Sequence, residues 1–368
     1  MMFAELPTDP KSFFEKTLIE SITALKMNSF FDNFDAARFN FDGKDHSREF
    51  FPDNHAFYFD WFANHREQLF SAYTALADDA SKRLFLYLIA YRLAGHLCVR
   101  LPVEFASRQK ELEDYKILEN PTPSTLAAQG MFGALSHYDF EYRGKRYVVD
   151  CIGLEYYLFR GQYFYNRDGV SICPSPGDTV IDGGACLGDS ALVFSNAVGF
   201  NGKVFAFDPV SEHLEILAHN TKQFPHLNVV VMPYGLSDKN TDFAPIVLNQ
   251  YSPGFRSGDQ DIPSRSIDYL VNNKTIAEID FIKLDIEGAE METLLGASES
   301  INRFKPKLAI SLYHKPNDLF EIILHIKKAF PFYTLYLDHY TIHAEESVLY
   351  CLPHGNNRLV SAVTGWFR

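Results

Sequence analysis

Basic residues are in the minority in this chain. Lysine and arginine number 34 against 47 aspartates and glutamates, which gives a formal net charge of -13 at pH 7. A nucleic-acid binder or a protein held on an anionic membrane needs a basic face, because affinity comes from released counterions or from attraction to anionic lipids. The composition therefore argues against a nucleic-acid partner.

Cysteine is also scarce, and its spacing is uninformative. The five cysteines are odd in number and never spaced as CxxC: Cys98, Cys151, Cys173, Cys186 and Cys351. Neither a disulfide framework nor a zinc site is indicated, and the residues are typical of reduced thiols.

Long apolar runs are absent. The strongest one, 84–97, is interrupted by Arg92 and His96 and is shorter than the roughly 20 apolar residues that a membrane span needs, so it predicts a buried helix. The first ten residues contain acids and prolines in place of a basic segment followed by an apolar one. The sequence thus predicts a cytoplasmic protein without a transmembrane segment.

The length favours two domains. A chain of 368 residues with 46% hydrophobic content exceeds the usual size of one compact core. Apolar residues recur at helical spacing near the start, at Phe14, Leu18, Ile22 and Leu25, and further helices are predicted over 61–76 and 81–97. We expect a helical N-terminal domain over 1–125, a loop at 120–124, and a second domain over 126–368.

The second half changes to strands. Segment 140–149 predicts a β-hairpin around Gly144, as an antiparallel lead-in to a larger sheet. Short apolar runs then alternate with helical stretches, and we predict strands at 179–182, 203–208, 228–232, 281–285, 307–313, 332–337 and 348–352. This alternation predicts an α/β fold with a mainly parallel, doubly wound sheet covered on both faces. Ligands of such folds bind at the carboxyl ends of the strands.

The first of these strand ends is rich in glycine. The segment Asp182-Gly-Gly-Ala-Cys-Leu-Gly188 lacks the GxGxxG spacing of a dinucleotide fingerprint, and Asp189 follows it. Glycines let the backbone approach a ligand closely, whereas carboxylates repel a pyrophosphate and favour a cation. A sulfonium ligand fits this loop better than NAD does.

The other strand ends carry further acids. Asp208 follows the second strand, where an acid accepts hydrogen bonds from ribose hydroxyls. Asp238 lies in a polar turn after the third strand and is a weaker candidate for contact with adenine. Asp285 and Glu287 follow the fourth strand, at the centre of the sheet edge, although Glu287 also suits a helix N-terminus through the helix dipole.

Taken in order, these segments resemble the FkbM-type family of S-adenosylmethionine-dependent methyltransferases. The resemblance covers residues 140–353 and rests on segments 178–189, 207–209, 235–238, 281–290, 307–316 and 335–340. It implies a class I Rossmann-like methyltransferase fold with a helical N-terminal extension. It also implies S-adenosylmethionine as cofactor, S-adenosylhomocysteine as product, and O-methylation of a hydroxyl on a sugar, a glycolipid precursor or a secondary metabolite.

Carried over to this sequence, the resemblance places Asp182, Gly184 and Gly188 at the methionine end of the cofactor and Asp208 at the ribose. The full set of predicted cofactor-binding residues is Asp182, Gly183, Gly184, Gly188, Asp189, Asp208, Asp238 and Asp285. One departure is the stretch 183–186, where many members have an asparagine-containing sequence, so a side-chain amide contact to the cofactor is in doubt.

Methyl transfer to a hydroxyl also needs a base, because the oxygen loses a proton as it attacks. His314, just past a predicted strand end, is the leading candidate, and Asp285 and His339 are its rivals. Glu287, Tyr313 and Lys315 are predicted to contact the acceptor, with Lys315 suited to an acidic substituent. Asp285, Glu287 and His314 are alternatively ligands for a divalent metal, which is left open and is not the prediction.

Other functions stay open at this stage. The transferase is an N-methyltransferase in one alternative, and in another the chain is a non-catalytic module that binds the cofactor. An NAD-dependent oxidoreductase is disfavoured by the glycine spacing. For the aromatic N-terminal part, three roles are open: it forms a homodimer contact, docks a partner or covers the active site. The expected methyl acceptor is a small molecule or a glycan.

Overall fold

The computed structural model describes residues 11, 14–16, 18, 55–95, 99–101, 121–127, 134–246 and 260–355. The chain forms two compact units. The first unit contains residues 1–105 and 312–349, and the second contains residues 106–311 and 350–368. The membership of these units differs from the expected domains 1–125 and 126–368, which remain a prediction about how the chain divides into independently folding parts.

The helices of the described residues are α1 (His55–Ala75), α2 (Asp79–Ala94), α3 (Glu155–Leu158), α4 (Asp189–Val198), α5 (Ser211–Thr221), α6 (Ile267–Asn272), α7 (Glu290–Leu295), α8 (Ser298–Phe304) and α9 (Asp318–Ala329). None of them is long and apolar enough to cross a lipid bilayer.

The strands are β1 (Thr122–Ala127), β2 (Ala134–Tyr142), β3 (Lys145–Cys151), β4 (Tyr165–Arg167), β5 (Val170–Ile172), β6 (Thr179–Gly183), β7 (Lys203–Phe207), β8 (Val229–Met232), β9 (Gly235–Leu236), β10 (Thr241–Ile246), β11 (Gln260–Arg265), β12 (Phe281–Leu284), β13 (Lys307–Ser311), β14 (Tyr333–His339) and β15 (Ser347–Pro353). All seven predicted strands of the second half are confirmed, β13 being two residues shorter than expected at its end.

The first unit is built from α1, α2, α9 and β14. The side chain of Asp78 caps α2 by accepting a hydrogen bond from the Ser81 amide at 2.7 Å. Segment 84–93 of α2 is almost entirely buried, as predicted for the apolar run, while position 97 lies outside the described residues. Trp61 Nε1 donates to Asn317 Oδ1 at 2.9 Å, which ties α1 to the start of α9.

The described part of the predicted N-terminal stripe is buried. Phe14 and Leu18 are each 1% exposed, and the ring of Phe14 packs against those of Phe62, Phe70 and Tyr73. Ile22 and Leu25, the other members of the predicted stripe, lie outside the described residues. The packing of Phe14 and Leu18 agrees with a helix whose apolar face is covered within the first unit.

The second unit contains a parallel sheet with the strand order β13-β12-β6-β7-β8. Chain order runs outward from β6 through β7 to β8 on one side and through β12 to β13 on the other. The α/β class is thus confirmed, and the order reverses between β6 and β12. This reversal marks the crevice in which ligands of open α/β sheets bind.

Smaller sheets surround this core, and one expectation is wrong. Segment 120–124 was expected to be a loop, but β1 begins at Thr122 and pairs with β2 through Thr122–His137 and Pro123–Ser136. Proline is tolerated there because β1 is an edge strand, whose outward N–H groups need no partner. The hairpin at Gly144 is confirmed, with Tyr142 opposite Lys145. Its strands form a separate sheet with β1.

The turn after β6 packs tightly against the end of β12. Gly184 has φ +78°, and a Cβ atom there would overlap the backbone carbonyl oxygen of Asp285. Gly183 is less tightly enclosed, because its Cβ would lie 3.0 Å from side-chain atoms of Leu236 and Leu284. These glycines therefore bring the backbone of two strand ends together.

We predict that Gly184→Ala lowers the free energy of unfolding by about 3 kcal/mol, because the new methyl group adds overpacking to a left-handed backbone. Thermal unfolding followed by calorimetry measures the effect. The matched control is Gly153→Ala, since a Cβ at Gly153 meets nothing within 4 Å. Equal melting temperatures for the two variants would contradict this account of the turn.

Candidate functional site

The candidate site lies at the carboxyl ends of β6, β7 and β12 in the second unit. Asp182 and Gly183 end β6, Asp208 follows β7, and Asp285 follows β12. The parallel register places Lys283 opposite Asp182 and Leu284 opposite Gly183. The predicted acids of three neighbouring strands thus meet at one sheet edge.

A buried ion pair joins the ends of β6 and β12. Lys283 Nζ lies 3.1 Å from Asp182 Oδ1, and the two side chains are 2% and 0% exposed. Lys283 also donates hydrogen bonds to the carbonyl oxygens of Gly183 at 3.0 Å and Gly184 at 2.8 Å. Ser190 Oγ donates to the other carboxylate oxygen of Asp182 at 2.8 Å. The glycine loop is therefore held by a charged group beneath it.

Lys283 remains protonated in this environment. Burial alone would lower the pKa of the Lys283 ammonium group, but the neighbouring carboxylates of Asp182, Asp285 and Asp189 raise it above its usual value. Three carboxylates thus act on one ammonium group. The cluster has a surplus of negative charge whenever all three acids are ionised, and such a surplus attracts a cation.

Asp189 carries part of this surplus. It is the first residue of α4, and its Oδ1 accepts a hydrogen bond from the Ser190 amide at 2.9 Å. Burial raises the pKa of Asp189 to about 6, and the charge of Asp182 raises it further, against the lowering effect of the Ser190 amide and of Lys283. The ionised form is therefore held in the folded protein at an energetic cost near neutral pH.

The glycine loop turns directly above this cluster. The amides of Gly184 and Ala185 each donate to the carbonyl oxygen of Phe207 at 2.9 Å, which ties the loop to the end of β7. Gly188, with φ +97°, is the N-cap residue before α4, and a Cβ there would lie 2.8 Å from a methyl group of Leu217. A side chain is thus excluded by backbone contact at Gly184, and at Gly183 and Gly188 it would need neighbouring leucine side chains to move.

Asp208 is buried and strongly hydrogen-bonded. Its Oδ2 accepts from the Cys186 amide at 3.0 Å, and its Oδ1 accepts from the Val210 amide at 2.9 Å and lies 3.1 Å from His213 Nδ1. Among the described residues, these contacts use three of the about four acceptor positions of a carboxylate. One position on Oδ2 is left to accept a hydroxyl group.

Asp285 is half-buried and held by a tyrosine. Tyr163 Oη donates to Asp285 Oδ2 at 2.7 Å, and Lys283 Nζ lies 5.2 Å from the centre of the Tyr163 ring. Tyr163 has φ +69°, in the left-handed region that costs a residue with a side chain about 1–2 kcal/mol. Strain of this kind at a bulky residue is a signal of function.

Two predicted residues are more exposed. Glu287 is exposed with φ +57°, in the turn between β12 and α7, while the nearby Glu290 accepts from the Ile286 amide at 2.9 Å and so closes that turn. Asp238 is exposed on the turn after β9 and accepts from Ser237 Oγ at 3.1 Å. Their exposure distinguishes both residues from the buried side chains of Lys283 and Asp182.

Four predicted site residues lie in the first unit. Tyr313 and His314 are half-buried, and their ring centres are 4.2 Å apart. Lys315 is exposed, and its amide donates to Asp318 Oδ2 at 2.8 Å. His339 is buried with Nδ1 2.8 Å from Ser347 Oγ, and burial lowers its pKa to about 3. The His339 ring is therefore neutral near physiological pH.

The sequence patterns missed four contributors to the site: Lys283, Ser190, His213 and Tyr163. Lys283 offered a signal, because a lone lysine in the apolar strand β12 needs a buried anionic partner. Ser190 and His213 act through side-chain contacts that no spacing rule describes. Tyr163 is 122 residues from Asp285 in the chain, so only the tertiary structure reveals their contact.

Comparisons with known proteins agree with this geometry. A family profile described as "Methyltransferase FkbM domain" matches residues 182–340. The hexuronic acid methyltransferase AglP of Haloferax volcanii is 29% identical over 128 residues, which are 34% of this chain and 52% of AglP. The chain thus spans about half the length of this curated relative.

A solved structure shares the fold. The crystal structure of the methyltransferase FkbM from Methylobacillus flagellatus KT aligns with a TM-score of 0.52 at 20% identity, over 79% of this chain and 60% of that one. At this identity the likeness shows the fold alone. The segment that matches the FkbM methyltransferase domain, residues 182–340, contains the strand ends described above.

Proposed function

We propose that the protein is an S-adenosylmethionine-dependent methyltransferase that methylates a hydroxyl on a sugar or glycan. The observation that carries the proposal is the surplus of carboxylates around Lys283 beneath a glycine loop. Asp182, Asp189 and Asp285 suit a cationic sulfonium and disfavour the pyrophosphate of a dinucleotide. The match of residues 182–340 to the FkbM methyltransferase domain supports methyl transfer as the reaction.

The cofactor would lie across the three strand ends. In this arrangement the loop with Gly183, Gly184 and Gly188 contacts its methionine part, and Asp182 and Asp189 supply negative charge. Asp208 accepts a ribose hydroxyl at its remaining acceptor position, and Asp238 contacts the adenine. Transfer converts the sulfonium into the uncharged sulfur of S-adenosylhomocysteine, so the attraction to the carboxylates falls and product release is favoured.

The chemistry is an in-line displacement. The acceptor oxygen attacks the methyl carbon as the carbon–sulfur bond breaks, the bonding pair stays on sulfur, and the hydroxyl proton passes to a base. Alignment of the reacting atoms is worth about 7–11 kcal/mol, and a positioned base contributes about 10²- to 10⁴-fold in rate. The residues of the site therefore chiefly align the reacting atoms and balance the positive charge of the sulfonium.

His314 is our proposed base, and Asp285 is its rival. We rank His339 last, because its pKa of about 3 makes it a weak base and Ser347 already contacts its Nδ1. A divalent metal held by Asp285, Glu287 and His314 is the alternative way to activate a hydroxyl. Comparing turnover with EDTA and with added Mg²⁺ distinguishes these two mechanisms.

A sugar acceptor with a carboxylate group is the proposed substrate class. The match to a protein named as a hexuronic acid methyltransferase supports a sugar. Lys315 is an exposed cation next to His314 in sequence and suits an acidic substituent, and we assign Glu287 and Tyr313 to contacts with the acceptor hydroxyls. A homodimer contact through residues 1–125 and a cytoplasmic location stay predictions.

The cofactor assignment predicts saturable binding of S-adenosylmethionine to the purified protein and no binding of NAD in calorimetric titrations. Asp208→Asn should raise the dissociation constant of S-adenosylmethionine at least about tenfold, since it removes a charge-assisted hydrogen-bond acceptor for the ribose. Asp139→Asn, an exposed aspartate bonded to Arg146, is the matched control. Binding of NAD, or an unchanged dissociation constant for Asp208→Asn, would contradict the assignment.

The base assignment predicts that His314→Ala leaves the S-adenosylmethionine dissociation constant within about twofold and lowers kcat by about 10²-fold or more. Transfer of a labelled methyl group to glucuronate and to glucose measures turnover, and the uronate should be preferred. His354→Ala, at an exposed histidine, is the control. Full activity of His314→Ala would contradict this assignment and would mean that Asp285 or a metal activates the acceptor hydroxyl.

The raised pKa of Asp189 predicts a pH-dependent stability. A carboxyl group with a higher pKa in the folded than in the unfolded state destabilises the fold when ionised, and this penalty vanishes as the pH falls below both values. Asp189→Asn should therefore raise the melting temperature by a few degrees at about pH 8, which corresponds to a gain of roughly 1–2 kcal/mol in unfolding free energy after allowance for partial exposure. The gain should be about half as large at about pH 5, between the two pKa values.

The control for this prediction is Asp139, an aspartate whose pKa is shifted in the opposite direction. Its bond to Arg146 lowers the pKa of the exposed Asp139, so Asp139→Asn should not stabilise the protein at any pH. A melting-temperature difference for Asp189→Asn that stays constant between acidic and alkaline pH would contradict the assigned pKa shift.

A further inference from the structure

Tyr163 contacts the centre of the site without belonging to any motif of the sequence. It is 1% exposed, and its hydroxyl donates to Asp285 Oδ2 at 2.7 Å. Gln162 Nε2 donates to the same hydroxyl oxygen at 3.1 Å. Because an ionised carboxylate only accepts and Gln162 Nε2 only donates, the phenol hydrogen is directed at Asp285.

The tyrosine is held firmly from several sides. Its backbone amide donates to Tyr350 Oη at 2.9 Å, and its ring stacks on that of Tyr157 at 6.0 Å. The left-handed φ of +69° persists although it is unfavourable for an aromatic residue. Surrounding contacts thus impose this backbone conformation, which aims the hydroxyl at the strand end.

We propose that Tyr163 is a positioning residue for methyl transfer, whose hydroxyl fixes the Asp285 carboxylate in the orientation that faces the sulfonium. This inference rests on the proposed function and goes beyond it. A hydrogen bond to one oxygen restricts rotation of the carboxylate, so the second oxygen is held in a defined direction. The Lys283 ammonium group, which lies 5.2 Å from the centre of the Tyr163 ring, also interacts with the Asp285 carboxylate.

A purely structural role for Tyr163 makes a different prediction. If Tyr163 only filled space, a substitution there would weaken the binding of S-adenosylmethionine and of S-adenosylhomocysteine by the same factor, because the two ligands differ only by one methyl group and one charge. If its hydroxyl positions Asp285, the loss falls selectively on the cationic ligand. The ratio of the two dissociation constants therefore separates the two roles.

The experiment is calorimetric titration of the full chain with each ligand, in the wild type and in Tyr163→Phe, Asp285→Asn and the double variant. We expect Tyr163→Phe to retain its melting temperature within a few degrees and to lose about three- to tenfold of its preference for S-adenosylmethionine over S-adenosylhomocysteine. Asp285→Asn should lose at least as much, and the double variant no more than Asp285→Asn alone, because the hydroxyl acts through the carboxylate.

The matched control is Tyr157→Phe, which removes a hydroxyl from the stacked neighbouring ring and should leave the ratio unchanged. An unchanged ratio in Tyr163→Phe, or additive losses in the double variant, would overturn the proposal. If Tyr163→Phe fails to fold, Gln162→Met tests the same hydrogen-bond chain and should lower the ratio in the same direction by a smaller factor; no change there also overturns it.

Failure of the proposed function has a separate signature. A wild-type protein that binds neither ligand refutes the cofactor assignment and this inference with it. A wild type that binds both ligands, with a ratio insensitive to Tyr163, refutes the inference alone and leaves the methyltransferase proposal intact.

Discussion

The buried ion pair between Lys283 and Asp182 is the interaction on which the candidate site depends. It joins β12 to β6 at the point where the strand order reverses, and the same ammonium group binds the carbonyl oxygens of Gly183 and Gly184. Removing one partner of a buried pair typically costs about 3–5 kcal/mol, because the other charge is left uncompensated. Without the ammonium group, the nearby carboxylates would repel one another, and the loop would lose two of its anchors.

Two further carboxylates, those of Asp189 and Asp285, act on the same ammonium group. Asp189 has a raised pKa, so its ionisation costs stability in the ligand-free protein. Tyr163 occupies an unfavourable backbone conformation while its hydroxyl reaches Asp285. Costs of this kind concentrate at functional sites, where a ligand offsets them. A cationic cofactor offsets both costs in our account, since it is attracted to the acids around Lys283.

Sequence patterns predicted the parallel strands well, because buried strands between helices have short apolar runs that differ clearly from their surroundings. The acids at the strand ends could be predicted equally well from the sequence, since Asp182, Asp208 and Asp285 each end or follow such a run. The extent of β1 was missed because Pro123 is typical of a loop, yet an edge strand accepts it. Tyr163 and His213 were missed because their roles come from contacts between segments far apart in sequence, for which local periodicity holds no information.

The most direct test of the central claim, that the acids around Lys283 form the binding site of a sulfonium cofactor, is a crystal structure of the protein with S-adenosylmethionine. The account predicts a ribose hydroxyl within about 3.2 Å of Asp208 Oδ2 and the sulfonium beside the Gly184 turn and the Asp285 carboxylate. A ligand bound elsewhere, or one whose ribose leaves Asp208 bonded only to Cys186, Val210 and His213, would contradict it.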